Sequence, residues 1–151
     1  GPFGTWTGGR EKAPAALCRK VIEAVDTGNH DIEIWGDGEQ TRSFMYIDDC
    51  LSGMGRLMES SYTDPLNLGR AELVSINGLL DIIEGIAGIT LKRNYDLSKP
   101  QGVRGRNSDN ALIQSTLGWE PEVDLATGLE KTYRWIEEQY ERRKRGEIVV
   151  D

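Results

Sequence analysis

The sequence predicts an α/β fold of four or five helices with a few short strands. Three observations predict it. Apolar residues recur at helical spacing in several separate stretches, most of them closed by glycine. Between those stretches lie only short runs with strand character. Glycine and proline fall singly or in small groups at the junctions, where turns are needed, and no repeat or low-complexity segment interrupts the series.

The elements follow in order. Residues 1–13 form a glycine-rich loop whose four glycines let the backbone approach something closely. Pro14 suits a first helical turn, where its missing amide is not needed. Leu17, Val21, Ile22 and Val25 then share one face to about residue 26, and Gly28 ends the helix. His30 lies in the polar turn 28–31 and reads as an exposed loop residue without a catalytic role. Ile32, Ile34 and Trp35 predict a short strand, followed by the turn Gly36-Asp37-Gly38. Phe44 and Tyr46 alternate with Met45 and Ile47, which predicts a second strand. Asp48 or Asp49 can cap a helix to about Glu59, with Leu51, Met54, Leu57 and Met58 as its buried stripe. Residues 65–69 read as another strand. Ser75 caps a helix carrying Ile76, Leu79, Leu80, Ile83 and Ala87, and Gly88 stops it. Leu91 to Tyr95 is a strand and 96–106 a loop. Asp109 caps a helix over 110–117 that Gly118 terminates. Leu125, Leu129, Tyr133, Ile136 and Tyr140 mark a last helix ending in basic residues that suit its C-terminus.

At 151 residues the chain is read as one domain, 1–151. A net charge of −7 argues against general affinity for nucleic acid, and no apolar run approaches membrane-spanning length. No signal-peptide pattern opens the chain. Cys18 and Cys50 have no zinc-type spacing and too few companions for a disulfide framework, which reads as reduced and cytoplasmic, with no metal site. An anionic ligand would need a local positive pocket against this background. Arg42, at the junction of turn and strand, has the fork geometry to grip phosphate.

The run Gly36-Asp37-Gly38-Glu39-Gln40-Thr41-Arg42-Ser43-Phe44-Met45-Tyr46-Ile47-Asp48-Asp49 resembles a signature of the extended short-chain dehydrogenases, the NAD-dependent epimerase/dehydratase family. In that family it lies in the C-terminal substrate-binding domain. Gly1 to Lys20 and Gly102 to Asp109 are more specifically similar to the GDP-mannose 3,5-epimerases, with Thr7 the one departure in the first stretch. The resemblance covers essentially the whole chain. It implies a substrate-binding domain that begins in mid-protein, with the NAD-binding Rossmann domain absent.

It also implies an isomerase whose reaction passes through a 4-keto sugar, with acid/base exchange of the protons at C3 and C5. Lys12 corresponds to one member of the acid/base pair, the other being a cysteine in the missing half. A lysine can serve where burial and cationic neighbours such as Arg10 pull its pKa down. By the same match Glu11 and Ala13 flank Lys12 against the sugar. Gln40, Thr41 and Arg42 line the nucleotide side, Arg106 contacts diphosphate, and Lys20 is a further basic contact. Arg104 is added by proximity alone, and Trp6 and Trp35 are candidates for stacking on a base.

NAD is expected in the intact parent and not on this chain. No Gly-x-x-Gly-x-x-Gly occurs, and the matches Tyr95/Lys99 and Tyr140/Lys144 sit in the wrong contexts for a catalytic pair. The expected partners are a GDP-sugar and a Rossmann domain or partner chain over an exposed apolar face, through which copies could also self-associate. Alone, the chain is expected to be inactive. Two alternatives stand beside this reading. One is a free-standing nucleotide-sugar binding or interaction module without turnover. The other is part of a UDP- or dTDP-sugar 4-epimerase or dehydratase, against which the loop Gly9-Arg10-Glu11-Lys12 argues.

Overall fold

A computed structural model of the chain describes residues 1–149. Helix α1 spans Ala13–Thr27, with proline in its first turn and Gly28 closing it at φ 71°. It buries Leu17, Cys18, Val21, Ile22 and Ala24. Val25, expected on that face, is half-exposed in the last turn, and the smaller Ala24 is buried instead. Strand β1, Asp31–Trp35, buries Ile32 and Ile34 and exposes its odd-numbered residues.

The expected strand at 44–47 does not form. Strand β2 lies earlier, at Thr41–Arg42, and pairs antiparallel with β3, Val74–Ser75. Phe44 instead packs against the core, and the Tyr46 ring fills the space beside Gly128, where a Cβ would come within 3.1 Å of it. Residues 43–46 form a half-buried loop and Ile47 already belongs to the next helix, so no ladder forms there.

Helix α2, Ile47–Glu59, has its expected stripe reversed. Leu51, Met54 and Met58 are exposed, and the residues it buries are Asp49 and Gly53. Gly53 lies against Leu68 and the Trp119 ring, so close that a Cβ would collide. Asp49 does not cap the helix; it accepts from the backbone N–H groups of Glu122 and Val123 at 3.1 and 3.0 Å. The expected strand at 65–69 is also unformed. Side chains anchor that segment instead: Asn110 donates to Gly69 O at 2.8 Å and Ser43 to Arg70 O at 2.6 Å.

Helix α3, Ile76–Ala87, follows the sequence reading. Ser75 Oγ accepts from Gly78 N at 3.0 Å, and Gly88 closes the helix at φ 69°. Strand β4, Lys92–Asp96, runs parallel to β1 with Ile34 opposite Tyr95. Buried Glu84 clasps the connection, accepting from Leu91 N and from Arg93, both at 2.6 Å. Helix α4 is Ala111–Leu117; Asn110, not the expected Asp109, holds its N-cap position, without a side-chain cap bond, and Asp109 Oδ1 accepts from Ala111 N at 2.9 Å. Helix α5, Leu125–Lys144, is capped by Asp124. Helices α1, α3 and α5 pack on one another around Trp6, Val21, Leu79, Leu80, Tyr133 and Ile136. Strands β1 and β4 form one two-stranded sheet and β2 and β3 the other.

Candidate functional site

A cavity of about 700 Å³ opens between the start of α1, strand β1, strand β2 and the loop after β4. The N-terminal loop supplies one wall. Gly8 and Gly9 both sit at positive φ, which only glycine adopts without strain. Glu11 locks that loop: its carboxylate accepts from Gly9 N at 2.7 Å and from Arg19 at 3.0 Å. Burial pushes the Glu11 carboxyl up, but its backbone hydrogen bonds and Arg19 outweigh that and hold it below the ordinary range. Lys12, the residue before α1, stands exposed at the cavity.

The opposite wall is built by the turn after β1. Gly36 and Gly38 take positive φ, and a Cβ on Gly38 would run into Asn77. Asn77 binds the turn through three bonds and strand β4 through a fourth. Its N–H donates to Gly38 O at 3.0 Å, its Nδ2 to Glu39 Oε1 at 2.7 Å and to Asp37 O at 3.4 Å, and its Oδ1 accepts from Tyr95 Oη at 3.0 Å. Ile76 N donates to Gln40 O. The turn's carbonyls thus satisfy amides at the start of α3 that would otherwise lack partners. Beyond the turn, Gln40 is buried; its Nε2 donates to Trp35 O at 3.0 Å while its Oε1 has no hydrogen-bond partner. Arg42 donates to Thr41 O at 2.6 Å and to Gln101 O at 3.3 Å.

The cavity gathers Glu11, Lys12, Ala13, Lys20, Gln40 and Arg42. Thr41 and Arg106 are not in its wall. Thr41 is tied to the loop through its N–H donating to Arg104 O at 2.9 Å, and exposed Arg106 enters only through its carbonyl, which accepts from Ser43 N. The Arg104 side chain pairs with Asp37 at 2.9 Å. Lys20 Nζ donates to Glu33 O at 2.9 Å. Lys12, Lys20 and Arg42 therefore bring three cations to one cavity, none of them paired with a carboxylate among the described residues. Trp6 is buried in the core, whereas Trp35 lines the cavity half-exposed. Sequence reasoning missed Glu33, although the alternation of β1 puts it on the same face as Trp35.

Residues 7–132 match the family model described as GDP-mannose 4,6 dehydratase. The chain belongs to this family. GDP-mannose 3,5-epimerase 1 of Oryza sativa subsp. japonica is 51% identical over 144 residues, which are 95% of this chain and 37% of that protein. The UDP-glucose 4-epimerase of Thermotoga maritima, solved with UDP-glucose, superposes with a TM-score of 0.83 at 25% identity, covering 93% of this chain and 43% of that one. The UDP-glucuronic acid 4-epimerase of Bacillus cereus, solved with UDP-glucuronic acid and NAD, gives a TM-score of 0.71 at 30% identity over 81% of this chain and 40% of that one. The chain thus spans well under half the length of these relatives. Its fold is that of the C-terminal, substrate-binding part of the extended short-chain dehydrogenases.

The glycine and tyrosine–lysine matches of the sequence lie in settings other than a dinucleotide site. Gly53 and Gly55 lie inside α2, and Gly53 is packed against Leu68 and Trp119. Tyr95 lies on a strand and donates to Asn77, and Lys99 sits over the Trp35 ring. Tyr140 and Lys144 both bind Asp26. No group of three or more His, Cys, Asp or Glu side chains among the described residues could hold a metal ion. Among the described residues no helix is long and apolar enough to cross a membrane.

Proposed function

We propose that residues 1–151 form the sugar-nucleotide-binding domain of an NAD-dependent epimerase acting on a GDP-sugar at C3 and C5. The observation that carries this reading is the cavity with three cations free of carboxylate partners, in a chain of net charge −7. Two phosphates of a diphosphate are its natural complement, and Arg42 offers them a guanidinium anchored on two backbone carbonyls. Lys12, in the loop that Glu11 locks, is the residue of this chain that moves a proton at a sugar carbon beside a carbonyl. Arg106 reaches the diphosphate only if its loop swings toward the cavity. The NAD site and the other acid/base group of this reaction belong to polypeptide outside these residues. The identity to GDP-mannose 3,5-epimerase supports the guanosine form of the substrate. The fold shared with UDP-sugar epimerases supports a pyrimidine nucleotide as the second reading.

The test is an NMR titration with GDP-mannose. Amides of Gly9, Lys20, Gln40 and Arg42 should shift, and Arg42→Ala should weaken binding about tenfold or more, the range for a charge-assisted contact. Binding that survives Arg42→Ala combined with Arg106→Ala overturns the site assignment.

A further inference from the structure

One fold here accommodates two kinds of nucleotide. The sequence relative is named for a GDP-sugar and the structural neighbours were solved with UDP-sugars. Something in the cavity must tell a purine from a pyrimidine, and the three cations cannot, because phosphates are common to both. Among the carboxylates that line the cavity, Glu11 is spent on Gly9 and Arg19. Glu33 is the other, and its environment is unusual. It projects with Trp35 from the exposed face of β1, while Ile32 and Ile34 hold the strand in the core. Its Oε1 accepts from Trp35 Nε1 at 2.9 Å. Lys20 Nζ lies 2.9 Å from the main-chain oxygen of the same residue, yet does not pair with its carboxylate. An ordinary charge-balancing glutamate would take that ammonium. This one is left in a cationic cavity with only an indole N–H as donor, and its second oxygen has none among the described residues.

We infer that Glu33 is the residue that selects guanine, accepting from the adjacent N1–H and exocyclic N2–H₂ donors of the base while Trp35 orients the carboxylate. This rests on the sugar-nucleotide reading above and adds to it the choice of base. A carboxylate has acceptor sites on both oxygens and matches two parallel donors. Uracil offers a single N–H between two carbonyl oxygens, and those would face the carboxylate with like charge. A site built to bond a donor pair rejects a ligand that lacks it, because its own polar group is then left unpaired.

The experiment compares GDP and UDP titrations of the wild-type chain and Glu33→Gln, read from backbone amides and the Trp35 indole signal. The wild type should prefer GDP about tenfold or more, in line with two hydrogen bonds to a charged group. Glu33→Gln should bring the two nucleotides to within about threefold, through loss of GDP affinity rather than of UDP affinity. Glu33 is exposed, so the variant's melting temperature should match the wild type's. A GDP preference that persists in Glu33→Gln overturns the inference, as does a wild type that binds both nucleotides equally, and either leaves the cavity reading standing. Failure of both nucleotides to shift any cavity residue defeats the sugar-nucleotide reading itself, and the assignment of Glu33 with it.

Discussion

Asn77 holds the turn between β1 and β2 in place from a position outside the wall that the three cavity cations line. One side-chain amide bonds Asp37, Glu39 and Tyr95 together, and its main chain engages Gly38 and Arg93. Asn77→Ala should cost about 1–2 kcal/mol, the net worth of its best-formed bonds, read as a lower denaturation midpoint. Gly38→Ala should cost at least as much, since it adds strain at φ 75° to a collision with the same side chain. Equal stability of either variant with the wild type would mean that the turn is not fixed by this clasp. Glu11 makes a different demand, on pH. Its carboxyl is held below its ordinary value, so the unfolded chain takes up a proton before the folded one does as acid is added. The stability it contributes is fully present above the ordinary glutamate range and is lost as pH falls through the lower, folded value. The difference in melting temperature between wild type and Glu11→Gln should therefore be constant near neutrality and close below about pH 4. A gap that widens in acid would reverse the assignment.

At the scale of the element, the helices were legible, and of the strands β1 and β4 were while the other two were not. The start of α3 is local chemistry: Ser75 and Gly88 mark its ends whatever surrounds them. The strands at 44–47 and 65–69 failed because alternation is only half of a strand; the other half is a partner that lends hydrogen bonds, and a sequence does not name it. Strand β3, two residues long, left no pattern to find. Helix α2 shows the same limit in three dimensions. Its apolar stripe was read correctly as a face, but a face does not state what lies against it, and the fold packs the Gly53 side instead. In the site, Gln40 and Arg42 lie in one run of sequence and both line the cavity, while Asn77 fixes the turn through neighbours distant in sequence. Asp49 anchors α2 to the segment before α5. Asp49→Ala orphans the N–H groups of Glu122 and Val123 and should cost about 2–3 kcal/mol, a shift of roughly 4–12 °C in Tm for a chain of this size. Asp49→Asn keeps one acceptor and should recover part of the loss. A silent Asp49→Ala would show that α2 is held by Gly53 packing alone.

The whole molecule is a balance of two long-range tendencies, a net charge of −7 that separates copies and an apolar face on α2 that draws them together. Leu51 is 60% exposed and Met58 82%, with Met54 and Ile47 beside them. Chains that leave such a face uncovered bind partners or themselves. The sugar-nucleotide reading supplies a partner, the polypeptide that carries NAD, but the face has its own physical consequence. Charge repulsion between copies acts over a Debye length of about 10 Å at 0.1 M salt and about 3 Å at 1 M, whereas apolar attraction does not weaken with salt. Raising salt should therefore raise the weight-average sedimentation coefficient of the wild type and its binding of a hydrophobic dye. Leu51→Glu combined with Met58→Glu should hold the chain monomeric at both salt concentrations without lowering its Tm, because neither side chain is buried in the fold. Loss of Tm in the double variant would show that the face is covered within one chain. A wild type that stays monomeric and dye-free in 1 M salt would show that four exposed apolar side chains on one helix are too few to bring two copies together.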